Sequence, residues 1–249
     1  MSDATPDARL TPAQRALELV RPWVLLAIYG ALAGAHLWWL AVPVAVTTCF
    51  AAFVQMHDAI HASLGLSKRG NDVLLAMSGL LMLKSGHALR ATHLRHHGKC
   101  LGDDDPEGAP ARWPLRRALV RGPFHILALR ADAMRIAPRT RGVQIVETAA
   151  TVAVLAGTVG LYVRAGSTVG LVYWAVAAVV SSLMPVWAAY LPHRLASEHP
   201  IVRAGARLAQ VWTPILTSFS FHHVHHRFPR VPTALLPKAA TRRAALDEG

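Results

Sequence analysis

Cysteine is nearly absent: Cys49 and Cys100 are the only two in 249 residues. They cannot supply a disulfide framework, a Cys-x-x-Cys motif or the ligands of an iron–sulfur cluster. Acidic residues are scarce too, 14 against 26 Lys and Arg, and few lie near the histidines described below. That excludes the carboxylate-rich Glu-x-x-His pattern of soluble di-iron proteins. No G-x-G-x-x-G fingerprint follows a strand, so the chain carries no dinucleotide site of its own. A cleavable secretory signal is missing as well. Asp3, Asp7 and Glu18 precede a first apolar segment long enough to remain as an anchor. No repeat or low-complexity domain stands out.

What is abundant is apolar sequence. Hydrophobic residues make up 53% of a chain whose formal net charge is +12, so apolar and basic stretches must be segregated. The runs 22–41, 43–64, 143–163 and 169–191 are each long enough to cross a ~30 Å hydrocarbon core. A fifth run, 73–83, is too short to span and reads as an interfacial or re-entrant helix. The predicted fold is therefore all-α and integral to the membrane, a single domain over 1–249 with about four spans. With a cytoplasmic N-terminus, Arg164 is the only one of the 26 Lys and Arg left outside, as the positive-inside rule prefers. Trp38 and Trp39 then fall at the outer interface and Trp23 at the inner one. The basic, proline-containing segment 98–142 reads as a cytoplasmic cap of short helices. Residues 201–221, where Arg203 and Arg207 mix with Leu208, Val211, Trp212 and Ile215, suit a helix lying against the membrane. Lys and Arg flank spans and no recognition motif accompanies them, so nucleic-acid binding is not expected.

Histidine is the other abundance, 14 residues. Nine matter most: His57 and His61; His93, His96 and His97; His193; and His222, His225 and His226. On a helix, positions i, i+3 and i+4 share one face, so each cluster aims its imidazoles at one point. With the orientation above, all clusters emerge on the cytoplasmic side, which makes one common site geometrically possible. Imidazole-rich sites suit iron, zinc, copper or nickel. Nine histidines are too many for one four-coordinate zinc and about right for two metals with open positions.

The segments His57-Asp58-Ala59-Ile60-His61, His93-Leu94-Arg95-His96-His97 and Phe221-His222-His223-Val224-His225-His226-Arg227-Phe228-Pro229 resemble the three histidine boxes of the membrane fatty acid desaturase superfamily, which includes carotenoid ketolases and hydroxylases. Their order and spacing match over roughly 44–237. Tyr190-Leu191-Pro192-His193-Arg194 resembles the carotenoid ketolase branch and adds His193 to the ligands. The resemblance implies a four-span bundle whose cytoplasmic cap holds two iron ions that activate O2 to oxidise C–H bonds of a lipid or carotenoid. The product would be a double bond, a hydroxyl or a ketone. O2 activation needs reducing equivalents, so a separate electron donor is expected, such as a ferredoxin with its reductase.

Among the remaining polar residues, Asp58 is the candidate to accept the free N–H of a ligand imidazole, its alternative being a helix-end aspartate in solvent. The run Asp103-Asp104-Asp105-Pro106-Glu107 would either orient ligands or cap a helix beginning at Pro106, and the cap is the preferred reading. His36, His87, His125, His199 and His223 read as surface or hydrogen-bonded histidines. Two other classes compete. A metal transporter would need polar ligands near the membrane midplane, and a b-type haem protein would face paired histidines between spans. Neither uses the whole set.

Overall fold

A computed structural model describes residues 9–209 and 214–247, and every regular element among them is helical. Helix α1 (Pro12–Gly34) starts in a capping box: Thr11 Oγ1 accepts from Gln14 N while Gln14 Oε1 accepts from Thr11 N. Helix α2 (Trp38–Ile60) follows after a turn in which His36 takes a φ of 59°. The apolar run 22–41 is thus divided at this turn. Pro22 and Pro43, which bound the two apolar runs, both lie inside helices, a placement that apolar surroundings and packed neighbours tolerate. Asp3, Asp7, Val211 and Trp212 lie outside the described residues.

Helix α3 (Lys68–Leu81) contains most of the fifth apolar run and is N-capped by Ser67. Helix α4 (Gly86–Lys99), capped by Ser85, doubles back against it. The two backbones cross where a Cβ on Gly79 would lie 2.7 Å from Lys84 O and one on Gly86 would overlap Leu75. Only glycine allows that approach. Helices α5 (Leu115–Ile136), α6 (Arg141–Ala165) and α7 (Val169–Ser182) follow, with Gly166 ending α6 at a φ of 66°. Helix α7 passes through a π-helical stretch (Pro185–Tyr190) into the short α8 (Leu191–Arg194). Helices α9 (Pro200–Ala209), α10 (Pro214–Ser220), α11 (His222–Arg227) and α12 (Leu236–Asp247) complete the chain.

Among the described residues, four stretches are long and apolar enough to cross a membrane: Pro12–Gly34, Trp38–Ile60, Pro138–Ala165 and Val169–Arg194. Helix α2 is the central one, buried without interruption from Ala51 to Ile60. Its small residues Ala41, Ala45 and Ala52 join Tyr29 and Ala33 of α1 and Tyr173 and Ala177 of α7 in one core, as close-packed membrane helices prefer. Helix α6 shows the opposite pattern. Val146, Val152, Val159 and Val163 point outward, a surface suited to lipid rather than water.

The α3–α4 turn reaches into this bundle. Tyr173 Oη donates to Leu81 O at 3.2 Å and Ser181 Oγ to Met82 O at 2.6 Å. On the other side, Glu147 of α6 accepts from Ser85 Oγ at 2.5 Å and from His87 N at 3.2 Å. His87 Nδ1 lies 2.6 Å from the same carboxylate and its Nε2 3.4 Å from Asp72. The hairpin is therefore fastened to both α6 and α7, and His87 is a hydrogen-bonded clamp, as expected of it. A second, smaller core of Val224, Phe228, Val231, Leu236 and Ala239 ties α11 to α12.

Candidate metal centre

Four pieces of helix deliver the nine histidines. His57 lies in the last turn of α2 and His61 is its C-cap. His93, His96 and His97 occupy the second half of α4, a helix fixed at its N-terminus by Ser85 and Glu147. His193 comes from α8, after the π-helical stretch, which inserts an extra residue per turn and so changes which face is presented. The six-residue α11 supplies His222, His225 and His226.

Their Nε2 atoms meet in two groups of four. His57, His61, His93 and His225 form one, and His96, His193, His222 and His226 the other, with ligand atoms within 4.8 Å of one another in each. In the first group, His57 Nε2 lies 3.0 Å from His225 Nε2, and His61 Nε2 3.0 Å from His93 Nε2. In the second, His193 Nε2 is 3.1 Å from His96 Nε2 and 3.0 Å from His222 Nε2. His97 stands between the groups. Its Nε2 is 3.2 Å from His93 and 2.9 Å from His225, while its ring stacks on His226 at 4.5 Å.

Such crowding is unfavourable for protonated imidazoles, and the electrostatics reflect it. Burial, reinforced by neighbouring histidines, pushes His61 and His226 down to about 2 and His97 down to about 4. His225 is driven lower still for the same reasons. These four rings are thus neutral, the form that binds metal. His96 departs from this pattern. Burial lowers it, but the Asp105 hydrogen bond and the Glu107 and Asp105 charges more than offset that, so its pKa rises.

Two carboxylates fix ring orientation. His93 Nδ1 donates to Glu107 Oε1 at 2.6 Å, and His96 Nδ1 to Asp105 Oδ2 at 2.7 Å. A proton held on Nδ1 leaves the Nε2 lone pair facing the centre, the usual carboxylate–histidine–metal geometry. Asp105 is completely buried and also accepts from Gly108 N and Leu101 N, both at 2.9 Å. Gly108 is required here, because a Cβ would collide with Asp105 and lie 3.1 Å from His96 Nδ1. Burial raises Glu107 to about 7, opposed by the His96 charge and the Thr92 hydrogen bond.

The acidic run thus orients two of the box histidines through Asp105 and Glu107, where a helix cap was the preferred expectation. No α-helix starts at Pro106. The segment forms turns and a short 3-10 helix (Ala109–Arg112). Asp58 also differs from expectation. Its Oδ1 is 3.7 Å from His57 Nδ1, too far for a hydrogen bond, and it accepts instead from Thr233 N at 3.1 Å and Thr233 Oγ1 at 2.7 Å. It pins the segment after α11 beneath the third histidine cluster. His57 Nδ1 is buried and has no hydrogen-bond partner among the described residues. Glu147 was not singled out by sequence reading. Its signal was a carboxylate in an otherwise apolar span, a costly placement that marks a specific partner.

The centre has two approaches. On one side, a cavity of about 320 Å³ is walled by Phe50, Phe53, Trp187, Leu191, Leu216 and Phe219 and reaches His57, His93, His96 and His222. Trp187 meets Phe53 edge-on at 4.7 Å and is fixed by its indole N–H donating to Val180 O at 3.0 Å. On the other side, an open polar groove of about 730 Å³ includes Arg95, Arg112 and Arg135 and touches the centre through Asp105.

The donor set fits two metal ions. Eight imidazole nitrogens converge without a counter-charge among them, and the second nitrogens of His93 and His96 are tied to carboxylates. Comparison with known proteins agrees with this geometry. The fatty acid desaturase family model matches residues 33–249. A beta-carotene ketolase from Paracoccus sp. (strain N81106 / MBIC 01143) is 27% identical over 203 residues, 76% of this chain and 74% of that protein. A second, from Paracoccus sp. (strain PC1), is 29% identical over 199 residues, covering 75% and 72%. No solved structure matches the chain.

Proposed function

Because the chain belongs to the fatty acid desaturase family, and is thereby a membrane oxidoreductase of the desaturase, ketolase or hydroxylase type, we propose that it oxidises C–H bonds of a carotenoid with O2 at a histidine-ligated di-iron centre. The observation that carries this reading is the meeting of two histidine tetrads with one aromatic-walled cavity. Both similar proteins are beta-carotene ketolases, and His193, from the ketolase-like pentapeptide, sits in the second tetrad. These features favour a carotenoid over an acyl chain and a ketone as product.

His57, His61, His93 and His225 would hold one iron, and His96, His193, His222 and His226 the other, with His97 beside both. The bound irons would activate O2, the chemistry that an unactivated C–H bond demands and that side chains alone do not supply. The protein's residues do the rest. Glu107 and Asp105 keep His93 and His96 in the ligating tautomer. Phe50, Phe53 and Trp187 exclude water and hold a hydrocarbon end-group against the histidine face. A volume of 320 Å³ is at the small end of ligand pockets, enough for one end of a long pigment but not its length. The remainder would extend into the bilayer.

Electrons come from a separate donor, for which a ferredoxin with its reductase is a suitable class. We place the centre on the cytoplasmic face, supported by the distribution of Lys and Arg. The polar groove beside Asp105 then opens toward the donor while the apolar cavity faces lipid. Expression in a host that accumulates beta-carotene, with pigments separated by chromatography, tests the substrate. Ketolated carotenoids are expected. Unchanged pigments together with new unsaturated fatty acids would move the assignment to acyl desaturation.

A further inference from the structure

The aromatic-walled cavity stops at Phe50, but the face of α2 that builds it does not. His57, Phe53, Phe50, Val46, Pro43 and Trp39 follow one another at alternating spacings of four and three residues, so they lie on one line along the helix. The core face of α2, formed by the fully buried Ala41, Ala45, Thr48, Cys49 and Ala52, is opposite. Exposure rises along the line away from the histidines. Phe53 is 8% exposed, Phe50 and Val46 are half-buried, Pro43 is exposed and Trp39 reaches 74%. The hydroxyl of Thr47, beside this line, donates to Pro43 O at 2.9 Å, which leaves the strip apolar.

The strip has the length of a membrane span. From His57 to Trp39 is about 27 Å of helix, close to the ~30 Å of a hydrocarbon core. At its inner end Trp187 meets Phe53 at 4.7 Å and Phe50 at 5.1 Å, both edge-on, and Phe53 stacks on His57 at 6.0 Å. At its outer end stands the exposed indole of Trp39. Aromatic rings at both ends with Val46 and Pro43 between them suit a straight rod that carries a ring at each end. A conjugated polyene is such a rod, because delocalisation stiffens its single bonds as resonance stiffens the peptide bond. It cannot coil within 320 Å³ and must leave the cavity along a straight path. A saturated acyl chain bends and needs no such track.

Resting on the carotenoid reading above, we propose that the part of the pigment outside the cavity lies lengthwise along Phe50, Val46, Pro43 and Trp39, with its second end-group against the Trp39 indole. The strip thereby selects a substrate as long as the span.

The test uses the full chain in lipid nanodiscs, supplied with a ferredoxin and its reductase, on beta-carotene and on retinol. Retinol carries the same ring on half the polyene, so it does not reach Trp39. In a bilayer the indole exchanges lipid for pigment without a hydrophobic gain, and stacking alone contributes roughly two- to tenfold in kcat/KM. Trp39→Ala is expected to lower the ratio of kcat/KM for beta-carotene over retinol by that factor. Trp39→Phe, which keeps an aromatic face, should retain most of it. An unchanged ratio in Trp39→Ala overturns the proposal, whether neither substrate is affected or both fall equally, as loss of a simple interfacial anchor would give. Trp39 is exposed, so its replacement leaves the core of α2 intact. Oxidation of neither pigment by the unaltered protein would overturn the carotenoid reading itself, and the strip with it.

Discussion

Replacing Glu107 should weaken metal binding without unfolding the protein. Its carboxylate accepts from His93 Nδ1 at 2.6 Å and from Thr92 Oγ1 at 3.1 Å. A hydrogen bond to a charged group contributes about 1.5–3 kcal/mol, or a factor of roughly 10 to 100 in iron affinity, the range found when such outer partners are removed. Glu107→Leu should lose that whole factor, because nothing then holds the His93 proton on Nδ1. Glu107→Gln keeps an oxygen acceptor and should lose only its charged share. Burial pushes the free carboxyl up to about 7, while nearby metal charge favours the ionised form. Binding therefore releases a proton, and affinity should rise with pH through 7 in the unaltered protein but more shallowly in Glu107→Gln. The assay is iron retained per chain against increasing chelator, at several pH values, with the thermal midpoint as the folding control. Unaltered affinity in Glu107→Leu, or an equal loss in Asp58→Asn at unaltered Glu107, would refute the reasoning.

Asp58→Asn should lower stability by about 1–3 kcal/mol, read as a reduced unfolding midpoint, because a buried acceptor of Thr233 N and Oγ1 is weakened. His193→Ala removes one of four ligands from the second tetrad and should lower bound iron toward one per chain with loss of turnover; full iron content would place His193 outside the centre. Gly108→Ala should displace Asp105 from His96 and lower iron retention in the same chelator assay, with unaltered retention counting against the role given to Asp105. With Cys49 and Cys100 changed to Ser, a cysteine at Gly166 should react with an impermeant thiol reagent added outside intact cells and one at Ala109 should not; the reverse would put the histidines on the outer face.

Much of the architecture was legible because the signals are large and local. An apolar run of about 20 residues is hard to place anywhere but a membrane, and repeated i, i+3, i+4 histidines define a face before any fold is known. Boundaries were less legible. The apolar runs were divided between 41 and 43, but the chain turns at 35–37 and Pro43 is inside α2, since a packed span can satisfy the carbonyl that proline leaves free. Composition does not show where that compensation is available.

The carboxylates were harder for a deeper reason. Asp58 lies between two box histidines in the sequence, yet adjacent residues on a helix point about 100° apart, so proximity along the chain turned its side chain away from the centre and toward Thr233. Asp105 and Glu107 come after α4 has ended, and that return lets their side chains approach His96 and His93 from behind. A group that orients a ligand must reach the nitrogen facing away from the metal. It is therefore supplied more readily by a segment folding back than by the ligand's own helix. Glu147 extends the same logic from a different span: it holds Ser85 and His87 at the start of α4 and thereby sets the rotation at which all three of that helix's box histidines face the centre.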